Sequence, residues 1–323
     1  MTYPILDSRK VLKLNIFFIA IATLKGISQV ILVENWITGI IVLIAMSLTS
    51  YELVAITVLS ALVGTMVAYI GGADRSQINQ GLFGYNAVLT GIALSIFLNG
   101  GQRWYIALAG AFISTVLTAA LMEWFKKKDL PVLTFPFVIV TWMILLASYR
   151  FELIKISNLL VPKSISLISF TNHDKLPNFI TGFIHGIGQV YLMDHFWTGL
   201  LILVGVFAAG WKPGVYALTG SVVSTVTASF LHADKDWISM GLYGYNGLLT
   251  MLAIAYVFKN KRYSILAGLC GAMGSVLVMA GISVLTSPYG IPAFTMPFTI
   301  TAWTYFSAAM FFRNGNSDCK ALR

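Results

Sequence analysis

Residues 81–90 read GLFGYNAVLT, and residues 241–250 read GLYGYNGLLT. Seven of the ten positions agree at a spacing of 160 residues. Working outward, residues 25–39 (KGISQVILVENWITG) match 185–199 (HGIGQVYLMDHFWTG) at seven of fifteen positions with the same spacing. Residues 131–142 (PVLTFPFVIVTW) match 292–303 (PAFTMPFTITAW) at six of twelve with a spacing of 161. Three blocks in one order at a nearly constant spacing mark an internal duplication. Shared apolar composition does not explain it, because many identities fall on Gly, Gln, Asn, Tyr, Pro and Thr.

The chain has 323 residues, 58% hydrophobic and only 10% charged, with a mean hydropathy of +0.82. Ordinary soluble domains carry about 25% charged residues, so this chain cannot cover a water-facing surface. Its high hydrophobicity equally excludes intrinsic disorder. The net charge of +9 does not point to nucleic acid here, since basic residues at the ends of apolar stretches are the usual cytoplasmic flanks of membrane spans. Cys270 and Cys319 are too few and too differently placed for a disulfide framework. The start, MTYPILDSRKVLKLN, lacks a small-residue cleavage site, so no removable signal peptide is expected. Together these features define an all-α polytopic membrane protein with the lipid bilayer as its solvent.

Twelve apolar stretches can be marked, six on each side of a polar segment at 150–177. The domain reading is a first repeat over 1–150, a linker over 151–177, and a second repeat with a short tail over 178–323. Several stretches are shorter than the roughly 20 residues a helix needs to cross. The loop after the fifth stretch holds Lys126, Lys127 and Lys128, while its counterpart near 287–290 is uncharged. The loop after the fourth shows the reverse, with Arg103 alone in the first half against Lys259, Lys261 and Arg262 in the second. Positive loops face the cytoplasm, so the repeats are expected to be inverted, which requires an odd number of crossings in each. One stretch per repeat must then be re-entrant, and the first is favoured because Gly26–Gln29 interrupts it. The N-terminus, with Arg9, Lys10 and Lys13, is expected inside. The four basic residues of 150–177 conflict mildly with an external linker.

The chemistry lies in what the repeated motifs contain and lack. G-I-[SG]-Q-V, G-L-[FY]-G-Y-N and P-x-x-T-x-P-F all break apolar runs. Broken helices at membrane depth are tolerated against protein or a cavity, and paired breaks in two halves point to a transport site; close packing by small residues is the plain alternative. The motifs offer Gln29, Gln189, Thr134 and Thr295 and no carboxylate. Intramembrane carboxylates usually mark ion coupling, so a passive route for a neutral solute is expected. Tyr85 with Leu89, and Tyr245 with Leu249, are four apart and share a helix face; Gly81 and Gly241 are placed one turn earlier on it. Two such faces would make a flat apolar slot edged by oxygens, suited to a small planar solute rich in N–H donors. Glu34 and Asp194 are read as near an aqueous end, Asp74 and Asp234 as solvated loop residues, and the four histidines as loop or interface residues. No metal, cofactor or enzyme motif is found.

In these blocks the chain resembles the urea transporter family: GISQV with GIGQV, GLFGYN with GLYGYN, and PVLTFPF with PAFTMPF stand in the family's order in both halves. The resemblance implies ten transmembrane helices in two inverted five-helix repeats, each with one re-entrant pore helix, assembled as a homotrimer with one pore per subunit. Urea would pass edgewise and uncoupled between two ladders of oxygens. Gln29 and Gln189 would sit at the ladders and Thr134 and Thr295 at the constriction. Val30, Val190, Leu89 and Leu249 would line the middle, with Tyr85 and Tyr245 flanking the slot. Some members carry Phe at the two tyrosine positions and Glu at 189; each tyrosine hydroxyl needs a partner. The alternatives are an ammonia or other small-solute channel, without the expected paired histidines, and an ion-coupled carrier, without a buried titratable group. The absence of an N-x-[ST] sequon suggests a bacterial inner (plasma) membrane.

Overall fold

The computed structural model describes residues 16–167, 178–257 and 264–321, with 312–321 by backbone alone. The first half contains α1 (Ile16–Ser28), α2 (Trp36–Ser47), α3 (Tyr51–Ile70), α4 (Arg75–Asn79), α5 (Gly84–Phe97), α6 (Arg103–Lys126) and α7 (Phe135–Ala147). The second contains α8 (Phe179–Gly188), α9 (Phe196–Ala209), α10 (Trp211–Phe230), α11 (Lys235–Ser239), α12 (Gly244–Met251), α13 (Ser264–Thr286) and α14 (Met296–Ala321). A π-helical stretch, Leu252–Val257, continues α12. Two-residue strands β1 (Leu98–Asn99) and β2 (Lys155–Ile156) pair antiparallel.

Among the described residues, α3, α6 and α13 are each long and apolar enough to cross a bilayer. α1 and α2 pass the same test together but are bent by 73°, and α8 and α9 by 74°. The bend has a local cause. A 3₁₀ turn (Gln29–Ile31, Gln189–Tyr191) ends on a left-handed leucine, Leu32 or Leu192, at φ 58° or 59°. The next helix then restarts behind an extended cap: Asn35 accepts from the Ile37 and Thr38 amides, and His195 from that of Thr198. The break therefore falls after Ile31. α1 runs unbroken through Gly26, whose role is close approach, as its Cβ would stand 3.0 Å from Gly84 Cα.

Three readings are corrected. The polar break at Asp74 and Asp234 is more than a loop, since each carboxylate caps a single-turn helix, α4 or α11, by accepting two backbone amides. One turn is too short to show periodicity, but an aspartate followed by free amides satisfies the orphan donors of a helix start. Gly81 and Gly241 are not on the faces of α5 and α12, which begin three residues later; they sit at φ 79° and 74° in the preceding turns. His185 belongs to the last turn of α8. His173 and Asp174, and the basic residues at 9–13 and 259–262, lie outside the described residues.

α5 and α12 are the centres of the two halves. Every residue from Gly84 to Ser95 and from Gly244 to Ala255 is buried. α5 packs among α1, α3, α6 and α7, and α12 among α8, α10, α13 and α14. A helix buried on all sides reads as continuously apolar, which is why these segments show no amphipathic face. One buried apolar cluster, including Ile27, Val42, Leu89, Leu133, Val206, Leu249 and Phe294, runs through both halves.

The halves bond to each other reciprocally. Trp142 Nε1 donates to the Pro292 carbonyl and Trp303 Nε1 to that of Pro131, both at 2.8 Å. Thr38 Oγ1 donates to Gly205 O at 2.7 Å, and Thr198 Oγ1 to Ala45 O at 3.2 Å. Replacing Trp142 and Trp303 by Phe removes two such bonds, each worth about 0.5–1.5 kcal/mol. A lowering of the thermal midpoint by a few degrees is expected, measured on purified protein, with the two single variants contributing about equally. The linker bridges two turns: β2 pairs with β1, and Lys163 N donates to Ser287 O at 3.0 Å.

Candidate functional site

The N-termini of α7 and α14 meet where the halves join, and the P-x-x-T-x-P-F motif builds both. Leu133 and Phe294 hold left-handed backbone at φ 53° and 49°. Pro136 and Pro297 each occupy the second helical position, where no intrahelical amide bond is lost. The strained carbonyls are gripped by the neighbouring GYN segment. Leu133 O accepts from Tyr85 Oη at 2.8 Å and from Asn86 Nδ2 at 3.1 Å. Asn86 Oδ1 in turn accepts the Phe137 amide at 3.3 Å. The second half repeats this: Phe294 O accepts from Tyr245 Oη at 2.6 Å and Asn246 Nδ2 at 3.3 Å, and Asn246 Oδ1 takes the Phe298 amide at 3.1 Å. Each tyrosine hydroxyl has found its partner, and each asparagine caps a helix other than its own.

The next residues in the chain are Thr134 and Thr295, both buried. Thr295 Oγ1 donates to Thr134 Oγ1 at 2.6 Å, so the two hydroxyls touch across the halves. Thr299 Oγ1 lies 3.2 Å from Thr134 Oγ1 and is fully buried.

The glutamines stand at the bends. Gln29 Nε2 donates to Gln80 O at 2.9 Å and Gln189 Nε2 to Met240 O at 3.2 Å. A carbonyl only accepts, so each amide nitrogen is fixed toward it and each Oε1 is turned away from it. The two 3₁₀ turns pack against each other, and Tyr191 Oη crosses to the Ile27 carbonyl at 2.8 Å. Val30, Val190, Leu89 and Leu249 are each 1% exposed within the shared core.

A cavity of about 1420 Å³ lies on one side of this junction. Gln29, Tyr85 and Leu133 form its deep wall; Asp74, Lys126 and Lys212 are among its outer residues. Of the ten residues expected at the site, only Gln29 and Tyr85 reach it. Thr134 and Thr295 lie at the direct contact, and the other six in the packed interior or at the second bend. Each bend carries a polar pair beside its glutamine. Lys25 Nζ is 2.8 Å from Glu34 Oε1, and His185 Nδ1 is 2.9 Å from Asp194 Oδ1. Each basic residue stands one helical turn before its glutamine. Among the described residues no three His, Cys, Asp or Glu side chains converge as a metal site.

Sequence reading missed Asn86, Asn246 and Thr299 as parts of the site. The asparagines had a signal, as uncharged polar groups kept identical in otherwise apolar helices. Thr299 had none, because its repeat partner is Val138 and matching the halves passes over it.

Apolar helices, two sharply bent pairs and a junction of neutral hydroxyl and amide groups beside a cavity define an integral membrane protein whose halves meet at an uncharged polar contact. The family described as "Urea transporter" matches residues 20–310, and the chain belongs to it. Urea transporter 1 of Mus musculus is 31% identical over 283 residues, covering 86% of this chain and 73% of that protein. The proteins of the same name from Ovis aries and Rattus norvegicus are each 30% identical over the same spans.

Proposed function

We propose that this chain passes urea down its concentration gradient, without coupling, through the junction between its halves. The observation that carries the reading is the makeup of that junction: Thr134 and Thr295 supply oxygens in a packed apolar setting, with Gln29 and Gln189 at the two half-buried bends and, among the described residues, no carboxylate at the threonine contact. Urea brings four N–H donors on a flat frame. Acceptor oxygens replace the water those donors lose, whereas a hydrated ion entering the same space would lose its shell without compensation. The threonine contact holds no titratable side chain to carry a coupling proton, which disfavours the proton-coupled carrier reading. Gln29 and Gln189 serve the two ends and the threonines the middle. Val30, Val190, Leu89 and Leu249 press on the faces of the solute, flanked by Tyr85 and Tyr245.

The architecture we infer has ten crossings in two inverted repeats. α1 and α8 are the half-length re-entrant pieces. The crossings are α2, α3, α5, α6 and α7, then α9, α10, α12, α13 and α14. The cavity supports inversion, because its walls combine the C-terminal ends of α3 and α6 with Lys212 near the N-terminus of α10 and Tyr256 after α12. The linker supports it too, touching β1 before α6 and Ser287 after α13. With Lys126–Lys128 inside by the positive-inside rule, the cavity opens to the cytoplasm and the linker lies outside. Its basic residues are then the exception to that rule. A homotrimer in a bacterial plasma membrane, as the family resemblance and the composition suggest, completes the reading.

Stopped-flow shrinkage of proteoliposomes with urea, glycerol and methylammonium is the test. Urea is expected to equilibrate fastest and methylammonium not at all above protein-free vesicles. Thr134→Val or Thr295→Val removes one oxygen at the midpoint without changing shape and is expected to lower urea flux about tenfold, the equivalent of one buried hydrogen bond of about 1.4 kcal/mol. Unchanged flux in folded, inserted Thr134→Val and Thr295→Val variants would count against the midpoint.

A further inference from the structure

The hydroxyls at the junction can be counted proton by proton. Each threonine has one O–H to give and two lone pairs to offer. Thr299 Oγ1 gives its proton to the Thr295 carbonyl one turn back, at 3.1 Å. Thr295 Oγ1 gives its proton to Thr134 Oγ1, at 2.6 Å. Thr134 Oγ1 and Thr299 Oγ1 are 3.2 Å apart, and Thr299 has no second proton. Thr134 must therefore be the donor of that bond. The chain of donors is closed: Thr295 to Thr134, Thr134 to Thr299, and Thr299 to backbone.

We infer that Thr299 is a positioning residue that fixes the direction of these hydroxyls and makes the midpoint a station of acceptors. When a solute parts Thr295 from Thr134, the Thr134 O–H stays directed at Thr299, and the Thr134 lone pairs face the solute. A solute that brings N–H donors is matched there. One that needs a donor from the protein meets only the Thr295 hydroxyl. Val138 occupies the mirrored position and is fully buried, so the first half supplies no such partner, and the polarity of the junction comes from one side alone. The inference rests on the urea reading above and adds to it a residue outside every duplicated motif identity.

The test compares Thr299→Val, Thr299→Ser and the exchange Val138→Thr with Thr299→Val, all in proteoliposomes, with urea and acetamide as probes. Valine keeps the volume and drops the hydroxyl, and serine keeps the hydroxyl and drops a methyl. The exchange moves the third hydroxyl to the mirrored site. Thr299→Val is expected to lower urea flux about fivefold and to lower the urea-to-acetamide ratio about threefold, within the range for one neutral hydrogen bond. Thr299→Ser is expected to recover most of both, and the exchange to recover most of the ratio. A packing role predicts the opposite order, with serine worse than valine and no recovery in the exchange, and that order overturns the inference. So does a Thr299→Val protein with unchanged flux and ratio. If Thr299→Val does not fold, a folded exchange variant with an unrecovered ratio is equally decisive. Wild-type protein that conducts no urea would sink the functional reading instead, so the two failures are told apart.

Discussion

Asn86→Leu and Asn246→Leu are expected to lower urea flux more than tenfold each and to lower the thermal midpoint by several degrees. Each asparagine is buried and satisfies two groups at the start of another helix, a strained carbonyl and the amide of the third helical residue. That amide is one of the donors a helix leaves unpaired at its start, and losing a cap costs about 0.5–2 kcal/mol. Leucine leaves the amide without its acceptor in a dry interior, at about 1–3 kcal/mol. The released segment carries Thr134 or Thr295, so the loss reaches the midpoint directly. Tyr85→Phe is the matched comparison. Leu133 O then keeps Asn86, and a change in flux under about threefold is expected. Flux and midpoint measured on the same purified proteins check both. Asparagine variants no worse than Tyr85→Phe would show that the cap is not what holds the threonines.

Gly241→Ala is expected to leave little folded protein. At φ 74° alanine pays about 1–2 kcal/mol for left-handed backbone. Its methyl would also run into the Gly186 amide nitrogen and stand 2.6 Å from the His185 carbonyl carbon. Those atoms are backbone and cannot rotate away, so α8 must shift, and overpacking of this kind costs about 1–3 kcal/mol. The shift also drags Gln189 from Met240 O, its anchor at the second bend. Gly274→Ala on α13 is the control. Its methyl would meet nothing within 4 Å, and alanine favours the helix by about 1 kcal/mol. Size-exclusion profiles after detergent extraction separate the outcomes: an aggregated or missing peak for Gly241→Ala against a monodisperse one for Gly274→Ala.

Much of the fold was legible because the duplication repeats its polar exceptions. The apolar stretches correspond to the principal helices, and the three motifs mark the two bends, the two buried central helices and the two meeting N-termini. The site was legible only as a set of residue types. Which partner each would find was not, since Asn86 and Leu133 are 47 residues apart and no periodicity links them. Thr134 and Thr295 were expected at the constriction, and their direct contact at 2.6 Å joins residues 161 positions apart that no local pattern could pair. The missed single-turn helices have too few residues to carry a pattern. Gly81 and Gly241 were placed on a helix face because spacing alone cannot tell a helix from the turn before it. Thr299 was hidden by the asymmetry that gives it its role.

The most direct measurement is the end point of urea entry into proteoliposomes at equal volume, with and without an imposed proton or sodium gradient. The account predicts that internal urea rises to the external concentration and stops there, at the same level under every gradient. Accumulation above the external level under either gradient would contradict it.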